Sequence, residues 1–373
     1  MSAIIQKFSV ADNPQLPGMD PFLFAVHHYD LYPQAKGQTM APDASLLGRN
    51  IGMDFSGKDG WSMYHGTTVP GFPSHPHRGF ETISIVEEGY VDHTDSEGAQ
   101  ARYGDGDTQW LTTGAGTAHA EMFPLLHNDG PNPHHMFQIW LNLPPEGKEA
   151  KPHFQMFWAE DTPHVTWTDD NGHGYDVKVI AGAFGDTKPL APPPESWAAA
   201  PDSDVAVWVL RLQPGAQLTL PPTKHAETIR TLYSLRGSLT IEGETLVQEG
   251  AVLRSTEALD ISAGAEGAFA LILQGRPIGA PVYQHGPFVA NSREELVEAF
   301  DAYQRGEFGA WRFDSNDPVA PPLKRGALPA IRTVRFVARS INRDPRRAAH
   351  VKLCEFMTLS GHFLGHFCHK RSQ

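Results

Sequence analysis

The sequence predicts an all-β protein made of two β-barrel or sandwich domains in tandem, with a short helix near the C-terminus. Three observations carry this. Apolar residues recur at every second position through much of the stretch from 60 to 290, turn-forming clusters interrupt them at short intervals, and the second half repeats the layout of the first.

Taken in order, FETISIVEEG (80–89) alternates Ile83 and Ile85 with Thr82 and Ser84. HMFQIWLNLP (135–144) sets Phe137, Ile139, Leu141 and Leu143 on one face. Successive side chains of a strand point to opposite faces, so each stretch predicts a strand with one buried side. DSEG (95–98), YGDGD (103–107) and NDGPNP (128–133) supply the turns between such strands. After the proline-rich PLAPPPESW (189–197), a second run contains VAVWVLRLQPG, IRTLYSLRGSLTIEG and GAFALILQG. A shift of 148 places residues 82–91 on 230–239 and Gly89 on Gly237, which points to a duplicated domain. In NSREELVEAFDAYQRGEFG, Ser292 and Glu295 form a capping box, Leu296, Phe300 and Tyr303 recur at helical spacing, and Gly306 ends the run. A helix over 293–305 is expected to close the second domain by docking on a sheet. The expected division is a first barrel with an N-terminal arm over 1–150, a connecting segment over 151–200, a second barrel with the helix over 201–322, and a basic tail over 323–373.

Composition narrows the function classes. Apolar residues make up 40% and charged residues 20% of the 373, as in soluble globular proteins, and the net charge is -13. An acidic surface disfavours nucleic-acid binding, which rests on Lys and Arg neutralising phosphates. The start, MSAIIQKFSVADNPQLPG, lacks the pattern of a signal peptide, and no uninterrupted apolar run is long enough for a membrane span, so a cytoplasmic protein without membrane contact is expected. Two cysteines, Cys354 and Cys368, give no disulfide framework. Charge is uneven: residues 324–373 hold 11 Lys and Arg against Asp344 and Glu355, whereas the rest holds 19 against 41 acids. The tail is expected to be disordered or foreign to the rest. Its tract INRDPRRAAHVK is the one place suited to nucleic acid or acidic lipid, and HFLGHFCHK has spacings that fit no familiar zinc finger.

The chemistry concentrates in two short stretches. PSHPHRGFETISIVEEG carries His75 and His77, and TTGAGTAHAEMFP carries His119 and Glu121. Residues i and i+2 of a strand share a face, so two such pairs from neighbouring strands can surround one cation with three imidazoles and a carboxylate. That set suits iron, zinc, manganese, copper or nickel. His75, His77 and Glu81 share the odd register of Ile83 and Ile85, which predicts that they point inward. Glu81 competes with Glu121 for the carboxylate position, and spacing does not choose between them. A glutamate left out would hold a histidine, an arginine or a backbone amide in place. Trp110 and Trp140 are read as core packing, with pocket lining as the alternative.

Four segments, HPHRGFETISIVEEG, GDTQWLTTGAGTAHAEM, FQIWLNLP and QHGPFVANSREELVEAF, resemble the pirin family, over residues 20–312. The resemblance implies two cupin-type (jelly-roll) β-barrels in tandem. It implies a mononuclear metal in the first, Fe2+ before Mn2+, Cu2+, Zn2+, Ni2+ or Co2+, held by His75, His77, His119 and Glu121. It also assigns the carboxylate to Glu121 rather than Glu81. The second barrel departs from the pattern: its counterparts are Thr223, His225, Ala263 and Ala265, so no metal is expected there. The implied reaction is cleavage of a flavonol such as quercetin with O2, Glu121 accepting the substrate proton. The rival reading, also implied by the family, is a redox-sensitive regulator of a protein partner, with Arg78 and Asp92 reporting the charge of the metal at the surface. A monomer is expected.

Overall fold

The computed structural model describes residues 2–321 apart from 12, 171 and 255, so the basic tract, the histidine cluster of the tail and both cysteines lie outside the described residues. Two β-barrels account for most of what is described, as expected. In the first, a six-stranded sheet runs in the order His153–Phe157, Thr108–Thr112, Phe80–Glu88, Asn132–Asn142, Phe22–Tyr32, Gln15–Pro17. It faces a four-stranded sheet ordered Gly71–His77, Thr117–Met122, Tyr90–Asp95, Gln100–Gly104. Val86 and Met136 from one sheet and Val91, Ala101 and Tyr103 from the other form the apolar part of the interior. In the second barrel, one nine-stranded sheet closes on a core that includes Trp208, Leu210, Leu232 and Ile272. Its longest strands, Ile229–Ile241 and Leu259–Gly275, bend at irregularities between Ser234 and Arg236 and between Gly237 and Leu239.

Between the barrels lies a third apolar layer. Ile83, Ile85, Phe137, Ile139 and Leu141 of the first meet Val207, Val209, Tyr233, Phe269 and Leu271 of the second. Each such side chain contributes about 1.5–3 kcal/mol on burial. This layer corrects the expectation of one buried side. Phe80–Glu88 is covered on both faces because it is an interior strand: its odd positions pack against the second barrel, and Thr82 and Ser84, wholly buried, face the interior of the first. On this strand the odd register is therefore the outside of the first barrel.

The ends of the chain cross between barrels. Ile4–Ser9, expected as an arm of the first, pairs with Glu249–Leu253 of the second. The helix Arg293–Gln304 is capped by Ser292 as predicted, the Glu295 N–H donating to Ser292 Oγ (3.1 Å), while the Glu295 carboxylate accepts from the N–H of Asn291 (2.8 Å), one residue before the cap. It does not close the second barrel. Ala299, Phe300 and Tyr303 pack with Phe288 of the Tyr283–His285/Phe288–Ala290 hairpin, and that hairpin docks on the first barrel, Arg78 N–H donating to Pro287 O (3.2 Å) and Val289 N–H to Arg78 O (3.0 Å). The chain then runs over the four-stranded sheet, where Ser96 Oγ donates to Phe308 O (2.6 Å) and Ser74 N–H to Asn316 O (2.6 Å). Among the described residues no helix is long and apolar enough to cross a membrane.

Candidate metal centre

The chain passes from the four-stranded to the six-stranded sheet at Arg78–Gly79, where Gly79 takes φ +85° and a Cβ would lie 1.9 Å from Val289 O. Parity cannot be carried through such a crossing. His75 and His77 point into the barrel, but Glu81, on the next strand, points out of it into the layer below the connecting segment. Its carboxylate accepts from Thr112 Oγ1 (2.6 Å) and Ser196 Oγ (2.5 Å), and burial pushes it up to about 7.

Strand pairing builds the site. His75 stands across from His119, and on the other side of the same strand Asp95 faces His119 and His93 faces Glu121. The Nε2 atoms of His75 and His77 lie 3.1 Å apart, and their rings sit 4.5 and 4.8 Å from that of His119. One donor atom from each of the three falls within 4.8 Å of the others. Glu121 Oε2 lies 3.7 Å from His119 Nε2 and accepts from Gln138 Nε2 (2.7 Å), and its Oε1 accepts from Ser84 Oγ (3.3 Å). A second, overlapping set of donors, His93, His119 and Glu121, is equally close-set.

The chemistry of these donors fits a cation. Burial lowers His75 to about 4 and holds His77 and His119 well below the ordinary histidine value, so all three are neutral near pH 7 and offer lone pairs. Burial also raises Glu121. Neither ring nitrogen of His119 has a hydrogen-bond partner among the described residues, although the residue is wholly buried. Such a group is costly alone and satisfied by a metal, and three imidazoles beside a carboxylate suit a borderline divalent ion.

Trp140 stacks on Phe80 (4.0 Å) and sets its ring edge-on to His77 (5.2 Å), so it borders the site, whereas Trp110 is buried on the opposite face among the residues packed between the barrels. Asp92 is not at the surface: it is 2% exposed and paired with Arg102 at 2.6 Å. Arg78 pairs with Glu149 at 2.6 Å. The sequence reading missed His93, Gln138 and Ser84. Alternation in YVDHTD, with His93 and Asp95 at i and i+2, was the available signal for the first of them.

Two family models match the chain: "Pirin" over residues 6–141 and "Pirin C-terminal cupin domain" over 207–309. A Caulobacter vibrioides protein named "Pirin-like protein" is 34% identical over 272 residues, 72% of this chain and 90% of that one. A Pseudomonas aeruginosa protein named "Putative quercetin 2,3-dioxygenase PA2418" is 35% identical over 242 residues, 64% of this chain and 79% of the relative. Among solved structures, a quercetin 2,3-dioxygenase from Acinetobacter baumannii superposes with a TM-score of 0.63 at 27% identity, covering 83% of this chain and 99% of that one.

Proposed function

Because the chain belongs to the pirin family, we propose that it is a mononuclear metal-dependent dioxygenase that cleaves a flavonol such as quercetin with O2. The observation that carries this is the convergence of the His75, His77 and His119 donor atoms inside the first barrel, with Glu121 against His119. In this reading His75, His77, His119 and Glu121 hold the metal, Fe2+ being the ion expected. The bound ion would supply Lewis acidity and a path for electrons between the flavonol and O2.

The residues of the chain do the rest. Glu121, raised by burial, takes the proton of the substrate hydroxyl, and Gln138 and Ser84 keep its oxygens oriented. Trp140, Phe80 and Phe154 border the donors and exclude water.

The test is oxygen consumption by iron-loaded protein given quercetin, beside metal analysis of protein purified without a chelating tag. The expected result is about one metal per chain and oxygen uptake, both lost in His119→Ala. Full occupancy with no turnover of any flavonol would sink the enzyme and leave the redox-sensitive regulator in its place.

A further inference from the structure

The inner face of the first barrel carries more polar groups than the described residues satisfy. Gln109 is wholly buried, yet neither its amide oxygen nor its nitrogen has a hydrogen-bond partner among the described residues. The hydroxyl of Thr82, also wholly buried, has none among them either. Cross-strand register puts them beside the candidate metal centre. Gln109 stands across from Ser84, and Ser84 across from Gln138, so the three form a row over adjacent strands, in which Ser84 and Gln138 hold the Glu121 carboxylate and Gln109 lies at the end away from it. Thr82 is the next inward residue along the same strand, level with Trp140. On the far side of Gln109 the neighbouring strand presents Met156 and Phe154, whose ring lies 4.9 Å from that of His93.

A buried amide left without partners costs about 1–3 kcal/mol. Leucine or methionine would fill the same volume without that cost. A primary amide both donates and accepts, which matches a hydroxyl group. An anionic guest would instead want a cation here and would meet the carboxylate of Glu121. Phe154 and Met156, packed against the apolar part of the interior, give this end of the row an apolar border compatible with an aromatic ring.

We infer that Gln109, with Thr82, forms a specificity subsite that takes a ring hydroxyl of an aromatic guest bound beside the candidate metal centre. This rests on the flavonol reading above and names which part of the substrate the barrel distinguishes. Glu121 and the histidines meet the reacting edge, and Gln109 and Thr82 meet hydroxyls elsewhere on the ring system.

The experiment compares binding of quercetin with that of 3-hydroxyflavone, which lacks the other hydroxyls, to zinc-loaded full-length protein by tryptophan fluorescence, so that no turnover intervenes. The wild type should bind quercetin at least about tenfold tighter. Gln109→Met should bring the two affinities within about twofold of each other without loss of bound zinc, and Thr82→Val should narrow the gap in the same direction. If Gln109→Met does not fold, Thr82→Val decides. A wild-type preference unchanged by the substitutions would mean that the amide meets ordered water only and would overturn the subsite. A wild type that binds neither compound would instead remove the flavonol reading, and the subsite with it.

Discussion

Gln138 has no ionisable group, yet it fixes where Glu121 points. Its amide nitrogen donates to Glu121 Oε2 and its oxygen accepts from Trp140 Nε1 (3.2 Å), so one side chain ties the carboxylate to the ring beside His77. Gln138→Leu should keep the fold and weaken metal retention about 10–100-fold, measured by competition with a chromogenic chelator. Glu81 makes a different prediction. Its folded value of about 7 lies above the value of about 4.3 for a free glutamate, so between the two the folded protein binds a proton that the unfolded chain does not. The stability this contributes is complete below the free value and is lost as the pH rises through the folded one. In Glu81→Gln that loss should vanish, and the stability difference should move in favour of the variant by about 3 kcal/mol between pH 4.5 and 8, read from denaturant unfolding. Both residues sit in stretches whose alternation was plain in the sequence. What alternation could not give was which side of the strand faced the barrel interior.

At the level of elements, the crossing at Gly79 is what brings a histidine pair from one sheet opposite Trp140 and Gln138 from the other. An alanine there would need φ +85° and would push its Cβ to 1.9 Å from Val289 O. Gly79→Ala should therefore cost at least about 3 kcal/mol and loosen the hairpin at Phe288–Ala290, seen as faster amide exchange over that segment. The duplication read from the 148-residue shift has a structural counterpart: Phe80–Glu88 lies between Thr108–Thr112 and Asn132–Asn142, as Ile229–Ile241 lies between Glu249–Leu253 and Leu259–Gly275. Gly89 and Gly237 both take positive φ, +82° and +69°. The helix cap was legible for the same reason, since capping is a contact between residues three apart. Its docking partner was not, because that partner is chosen by a hairpin several residues upstream.

Across the whole molecule, the segment after the helix returns to the barrel that carries the paired histidine motifs. Arg102 Nη2 donates to Ala320 O (2.8 Å) and Ala320 N–H to Asp92 Oδ2 (2.8 Å), closing a lid over a buried ion pair. Phe308, 2% exposed, fills the space beside Gly116. Deleting residues 324–373 should leave folding and metal content unchanged. Ending the chain after Gly306 should cost about 3 kcal/mol or more, because it leaves the Asp92–Arg102 pair without these partners and opens the Phe308 cavity. Thermal unfolding and metal content of the two truncations, compared with the full chain, check both statements.

The sequence by itself determined the all-β class, the two barrels, the capped helix, and which histidines come in pairs, because each depends on spacings of two to four residues and on local backbone chemistry. Only the tertiary structure decided that Ile83 and Ile85 face the other barrel, that Glu81 points away from the histidine cluster, that His93 and Gln109 lie on the inner face beside it, and that the helix packs on a hairpin docked to the first barrel. Those outcomes depend on which sheet a strand enters after a turn and on what covers its second face. A period of two is blind to both, since reversing inside and outside leaves the pattern unchanged.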